Sequence, residues 1–410
     1  MTEKSVEEHA ENWDLRHEDF KDNDFLYDVY SVMRRNAPFA HTDTPFLSAT
    51  PGGAWVATRY DECYRILQDW QHFSSNPTPE GAEQLAGDLV ITMDPPRQQK
   101  FRQVLNPYFS PGRMKQLRPQ IRAETDRLID TFIERGTGDL AQIAWRQPGI
   151  VFFKYLLGMP IDDVPLCIGL TDTALNGETE EARMAAWGGL FQHIHDAVSA
   201  RSTEPPHDDM IDVLLTAEIE GESLPFQDVV ANAMLLVQAG LETTANAMSF
   251  AFHYLATHPD ERDRLIREPE ILPRAVEEFI RFAGSIHGIP RTVAKEVELS
   301  GQTFCPGESV LVNYAAANRD AGQFPDPDRC ILDRNANRHL GFGAGVHRCL
   351  GSNLARLEFT VGIEQVLSRL PDYTLAAGAD ASFHGNSVTR GYRQIPVTFT
   401  PGGRSTCRCL

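Results

Sequence analysis

Residues 339–351 read HLGFGAGVHRCLG. Glycines stand at alternate positions 341, 343 and 345. His347 and Cys349 follow, and then SNLARLEFTVGIEQVLSRL has the look of a helix. A thiolate in such a place binds zinc, attacks a carbonyl, joins an iron–sulfur cluster or ligates haem iron. Zinc and clusters need further cysteines nearby, and Cys349 has none within eighteen residues. A nucleophilic pair with His347 stays open, although residues two apart on an extended turn tend to point apart. A dinucleotide loop fails on spacing. Its third glycine would fall on Val346 counted from Gly341, or on Arg348 counted from Gly343. The haem reading explains more residues. Glycines let the backbone approach a flat macrocycle. N–H groups at the helix start stabilise a thiolate. His347 can reach a carboxylate at the ligand's edge.

The rest of the chain sets the frame. Its 410 residues are 42% apolar and 23% charged, ordinary globular values with room to bury an organic cofactor. A net charge of -19 argues against nucleic acid and against an anionic membrane surface. No apolar run approaches the ~18 residues of a membrane helix. The start MTEKSVEEHAENWD is acidic and is not a signal peptide. Seven cysteines, an odd number without paired C-x-x-C motifs, suggest a reduced, cytoplasmic protein. Cys407 and Cys409 sit in a tail expected to fray.

Helical patterns dominate. Apolar groups recur at three- and four-residue steps over 115–135 and again over 226–258, with Pro225 at the start and Pro259 beyond the end. Strand-like pieces are short: 55–60, 296–301, 309–317 and 394–401. The Pro- and Asp-rich stretch 319–340 reads as an ordered meander. The expected fold is mainly α, one helix-rich domain over 1–410 with small sheets attached.

The segment from Phe342 and Gly343 through His347 and Cys349 to Gly351 resembles the haem-binding signature of the cytochromes P-450, the haem-thiolate monooxygenases. The resemblance runs from about residue 20 to 401 and implies heme b with Cys349 as its proximal iron ligand, a thiolate that favours O–O cleavage. Glu278 and Arg281, three apart on a helix, resemble the family's buried Glu-x-x-Arg pair, and Arg329 in PDRC resembles the residue that completes that network. Ala239-Gly-Leu-Glu242-Thr243-Thr244 interrupts the long apolar run. The resemblance places this segment over the distal face of the haem. Thr243 would hold dioxygen and its water, and Glu242 would relay protons, with Thr244 the lesser candidate. It also assigns Arg102, Gln98, Arg291 and His347 to the haem propionates, with Gln98 standing where many relatives have histidine.

The implied reaction inserts one atom of dioxygen into an apolar substrate by hydroxylation or epoxidation. No reductase domain fits in the chain, so a ferredoxin and its reductase would supply electrons. Arg102, Lys100, Arg113, Lys115 and Arg348 are candidates for a basic docking patch. Leu89, Val90, Ile91, Ala239, Gly240, Ile286, His287, Ile289, Val388 and Thr389 are the expected substrate pocket, which suits a terpenoid or alkylaromatic. Two rivals are a peroxide-driven peroxygenase and a haem sensor or carrier. Glu242-Thr243 speaks against both: the resemblance implies that peroxygenase relatives carry arginine and proline in place of the acid–threonine pair, and a sensor or carrier needs no distal proton relay.

Overall fold

The computed structural model describes residues 5–15, 17–43, 53–77, 89–379, 381, 383–384 and 389–405. A 32-residue helix, Phe226–Thr257, runs through the middle. At 1.5 Å per residue it is about 48 Å long. Pro225 caps its start in an extended conformation, and His258 leaves helical geometry just before Pro259 opens the next helix. From Thr244 to Phe252 every residue is buried, the mark of a helix packed on all sides. Gly240 is needed where the helix Ala141–Phe152 crosses: a Cβ there would lie 2.9 Å from the Phe152 ring.

The other expected helix is shifted. It spans Pro111–Asp130, because Ser110 accepts from the Arg113 N–H and Pro111 suits the first turn. A separate 3₁₀ turn, Ile133–Arg135, follows. The sheet elements are shorter than the apolar runs suggest. Ala54–Ala57 forms a strand, and Tyr60 already begins a helix. Ser309–Asn313 is a strand that stops where the Asn313 side chain caps the Ala316 N–H and starts a single helical turn. Val297–Leu299 pairs with Gln302–Phe304, and Pro396–Thr398 pairs with Thr374–Leu375 and Thr137–Asp139. The main sheet runs in the spatial order Phe39–Thr42, Ala54–Ala57, Ser309–Asn313, Gly288–Val293, Phe73–Ser74. The pairing of Gly288–Val293 with Ser309–Asn313 sets Ile289 opposite Val312 and Arg291 opposite Val310. That strand carries one wall of the site.

Behind the site lies a buried ion network. Glu278 and Arg281, both fully buried on the helix Leu272–Ala283, pair at 2.8 Å through two hydrogen bonds. The third member is not Arg329, whose side chain is 76% exposed. Arg334 takes that place: its Nε donates to both oxygens of Glu278 at 3.1 and 3.0 Å. Arg329 contributes only its carbonyl, which accepts from Arg281 and Arg334. Arg281 also donates to the carbonyls of Asn318 and Pro327, so one guanidinium fixes several turns of the meander 319–340. The helix Ser352–Arg369 follows the cysteine turn and packs between the central helix and Pro111–Asp130.

Candidate active site

The cysteine turn is set by its glycines. Gly343 and Gly345 have φ of 62° and 67°, the left-handed region. At Gly345 a Cβ would stand 2.0 Å from the Leu67 carbonyl oxygen, so no other residue fits. The Cys349 N–H donates to the Phe342 carbonyl at 2.8 Å and closes the loop. Two side chains brace it from outside: Gln98 Nε2 donates to the Val346 carbonyl at 2.7 Å, and Arg102 Nη2 to the Arg348 carbonyl at 2.8 Å.

Cys349 is solvent-accessible yet lies deep in the protein, because its exposed surface faces a cavity. Enclosure pushes its thiol above the ordinary value. The Gly351 N–H hydrogen bond, then the charges of Arg102, Arg348 and Arg356, pull the other way. The cavity has about 1440 Å³ of empty space, part of it open to solvent. Phe342, Gly343 and Gly351 form its floor with Cys349, and Ala239, Gly240 and Thr243 of the central helix form part of its opposite wall.

At one edge sits His347. Its Nε2 is buried without a partner among the described residues, and burial, helped by Arg291 and Arg102, lowers its pKa to about 4. An orphaned nitrogen between two guanidinium groups fits an anionic ligand group there. Arg102 lines the cavity. Arg291 lies behind the wall, buried, with Nη1 on the Pro290 carbonyl. Gln98 is fully buried and braces the turn instead of facing the cavity. An apolar disc with carboxylates at the His347 edge and a metal above Cys349 matches this donor set, so the residues present fit haem.

The distal segment departs from simple expectation. Thr243 lines the cavity, but its hydroxyl donates back to the Ala239 carbonyl at 3.0 Å, which loosens the helix locally. Glu242 is 1% exposed and does not line the cavity. Arg393 Nη2 donates to it at 3.0 Å and Thr389 Oγ1 at 3.2 Å. Burial raises its pKa, and Arg393 opposes that. Arg393 in turn reaches Asp172 at 2.5 Å near the surface and stacks on the Trp145 ring. Sequence alone missed Arg393, because nothing local marks a partner 151 residues away.

The substrate wall also needs correction. Val90, Ile91, Ile286 and Ile289 line the cavity as expected, together with Leu235 and Leu236, which the helical run hid. Leu89 does not; it opens a turn, its carbonyl accepting from Thr92 and Met93. His287 faces neither substrate nor solvent. It does not line the cavity as Ile286 does, it is 1% exposed, and its Nδ1 meets the Tyr30 hydroxyl at 2.8 Å. Burial holds its pKa well below the ordinary value. Thr389 bridges to Ile286 through the backbone and spends its hydroxyl on Glu242. Val388, Cys407 and Cys409 fall outside the described residues.

A thiol opening from a glycine-rich turn into an apolar cavity, facing the central helix, defines a haem-thiolate site. The comparisons agree. The family profile described as Cytochrome P450 matches residues 172–371. Vitamin D(3) 25-hydroxylase of Pseudonocardia autotrophica is 33% identical over 383 residues, 91% of this chain and 93% of the relative. Mycinamicin IV hydroxylase/epoxidase of Micromonospora griseorubida is 32% identical over 381 residues, 90% and 94% of the two chains. CYP109E1 from Bacillus megaterium, solved with testosterone, superposes with a TM-score of 0.83 at 28% identity, covering 94% of this chain and all of its own. A mutant of P450 EryK in complex with erythromycin B gives 0.84 at 27% identity over 94% of this chain and 99% of its own. The chain belongs to the cytochrome P450 family and is a haem-thiolate monooxygenase that uses dioxygen and an organic substrate.

Proposed function

We propose that the chain is a single-domain, ferredoxin-dependent monooxygenase that binds heme b through Cys349 and oxidises a compact apolar substrate by hydroxylation or epoxidation. The observation that carries this reading is the Cys349 thiol opening into the cavity with the Gly351 N–H at its sulfur. Haem, when bound, supplies dioxygen activation and oxygen-atom transfer. The chain's own residues do the rest. Phe342, Gly343 and Gly351 set the floor at the depth the cysteine requires. Arg102 would offset the charge of the propionates and the unpartnered Nε2–H of a neutral His347 would donate to one of them, with Gln98 and Arg291 supporting that edge from behind.

Glu242 and Thr243 manage protons on the distal side. The Thr243 hydroxyl can leave the Ala239 carbonyl for a ligand at modest cost, about 1 kcal/mol for one net hydrogen bond. Arg393 ties Glu242 to Asp172 near the surface, and rotation of the Glu242 carboxyl away from Arg393 would let it take up a proton from solvent and carry it inward. Val90, Ile91, Leu235, Leu236, Ile286 and Ile289 exclude water from the substrate, which favours a terpenoid or alkylaromatic over a charged compound.

Lys115 and Arg348 are exposed near the cysteine side, and Arg113 is half-buried with Nη2 on the Tyr155 carbonyl. Together they suit an acidic ferredoxin. Lys100 contributes less, being paired with Glu220 at 2.8 Å. A cytoplasmic setting fits the five free thiols among the described residues. The test is turnover of a ligand library, first selected by spin-state shift, with ferredoxin, reductase and NAD(P)H against turnover with peroxide alone. Product only with the electron-transfer partners supports the reading. Equal or better turnover with peroxide refutes it.

A further inference from the structure

Three side chains near the start of the chain form a cluster that the monooxygenase site does not use. His9 lies on the helix Val6–Glu11. His17 caps the 3₁₀ turn Glu18–Lys21, and Asp19 belongs to that turn. Asp19 Oδ2 is 2.9 Å from His9 Nε2 and 3.4 Å from His17 Nδ1. One ligand atom from each residue lies within 4.8 Å of the other two, and no second group of this kind occurs among the described residues. None of the three lines the cavity.

Packing presents these atoms to one another. His9 is buried, and its ring rests against Phe20 and Phe25 with centroids 5.1 and 5.3 Å away. The two histidine rings meet edge to face at 4.6 Å. Phe20 in turn belongs to the core around Trp13 and Tyr30. Rings held by their surroundings are the usual support of a metal ligand. His17 and Asp19 are 35% and 31% exposed, enough for an ion and water to enter.

Donor chemistry narrows the ion. Two imidazoles and one carboxylate suit zinc, whereas magnesium and calcium take oxygen ligands. Bonds of about 2.0–2.1 Å place tetrahedral ligands about 3.3 Å apart. The two edges from Asp19, at 2.9 and 3.4 Å, bracket that value. The edge between the histidines closes with a shift of at most about 1.5 Å, which the part-exposed His17 ring can make. Zinc takes neutral imidazole through a ring lone pair. His17 Nδ1 has one, since it accepts the Asp19 N–H at 3.3 Å, a long bond that a metal displaces cheaply. His9 would bind through Nε2 with its proton on Nδ1, exchanging its hydrogen bond to Asp19 for the ion.

We propose that His9, His17 and Asp19 hold a zinc ion, with water as its fourth ligand, that clasps the first helix to the 3₁₀ turn. The site lies away from the cavity, so the ion is structural. Its influence reaches the cavity through the backbone. The Phe20 carbonyl, next to Asp19, accepts from Arg390 Nη2. The Arg390 N–H donates to the carbonyl of Ser285, a cavity residue, at 3.1 Å. The proposal does not depend on the monooxygenase reading.

The test uses the holoprotein with Cys407→Ser and Cys409→Ser in every sample, so that the tail takes no metal. After equilibrium dialysis against micromolar zinc, this parent should retain about one zinc per chain. His17→Ala and Asp19→Asn should each weaken retention by at least about tenfold. His195→Ala removes an exposed histidine beside Asp196 and should retain zinc as the parent does. X-ray absorption at the zinc edge should show two imidazoles and oxygen at about 2.0–2.1 Å. Zinc should slow hydrogen exchange over residues 6–21 several-fold in the parent and leave it unchanged in His17→Ala. A parent that retains no zinc overturns the proposal. So does equal retention in all variants, which means an adventitious ion only, or a zinc spectrum without two imidazoles. Exchange that bound zinc does not slow refutes the clasp. No readout involves turnover, so failure here is distinct from failure of the monooxygenase reading.

Discussion

Replacing Arg334 by methionine tests the network that holds the cysteine turn from behind. Arg334 donates to both Glu278 oxygens and to the carbonyls of Pro325, Asp326 and Arg329. Removing one partner of a buried ion pair costs about 3–5 kcal/mol when the remaining charge is left alone. Here it is not left alone. Glu278 keeps Arg281 at 2.8 Å through two bonds, the Ile331 N–H at 2.7 Å and Asn337 Nδ2 at 3.0 Å. The loss should therefore fall at the lower end, about 3 kcal/mol, or roughly a hundredfold in the folding equilibrium. Arg329→Ala leaves the structural carbonyl in place and removes only an exposed side chain, so it should stay within about 0.5 kcal/mol of wild type. Urea unfolding, followed by far-ultraviolet circular dichroism and by the thiolate haem band, reads both changes. Arg329→Ala as damaging as Arg334→Met, or a silent Arg334→Met, would refute the assignment.

Three further outcomes are expected. Glu242→Gln and Thr243→Val should each lower product formation about a hundredfold, in the range of lost general acid–base assistance, while electrons from NAD(P)H drain to peroxide or water. Product yield per electron measures this, and unchanged yield contradicts the roles given. Arg113→Glu combined with Lys115→Glu should slow reduction by an acidic ferredoxin steeply at low salt and little at high salt; stopped-flow rates independent of salt would exclude that face. Glu358 also sets a slope in stability. Burial raises its folded-state pKa to about 8, so between the unfolded value near ~4.3 and about 8 the folded protein binds the extra proton and loses stability as pH rises. Glu358→Gln should flatten that slope, by a few kcal/mol across the window, in denaturation midpoints taken at several pH values.

The parts legible in the sequence were those with local causes. The glycines of the cysteine turn, the proline boundaries of the central helix and the three-residue spacing of Glu278 and Arg281 announce themselves within a few positions. The parts that escaped depend on distant contacts. Four arginines, at 319, 329, 334 and 338, punctuate the irregular meander, and no periodicity says which one meets Glu278. Glu242 looked like an acid aimed at the cavity until Arg393 and Thr389, almost 150 residues away, claimed it. His287 sits among cavity residues in sequence, yet its ring meets Tyr30, 257 residues away, which no local pattern announces. Leu235 and Leu236 escape as pocket residues because a helix buried on nearly every side gives no sign of which face meets the cavity.

The most direct measurement is the absorption spectrum of the ferrous carbon monoxide complex in wild type and in Cys349→Ser. A thiolate-type Soret band in wild type that is lost on substitution, with haem still bound, is the expected result. A wild-type protein without that band, or a variant that keeps it, would contradict the account.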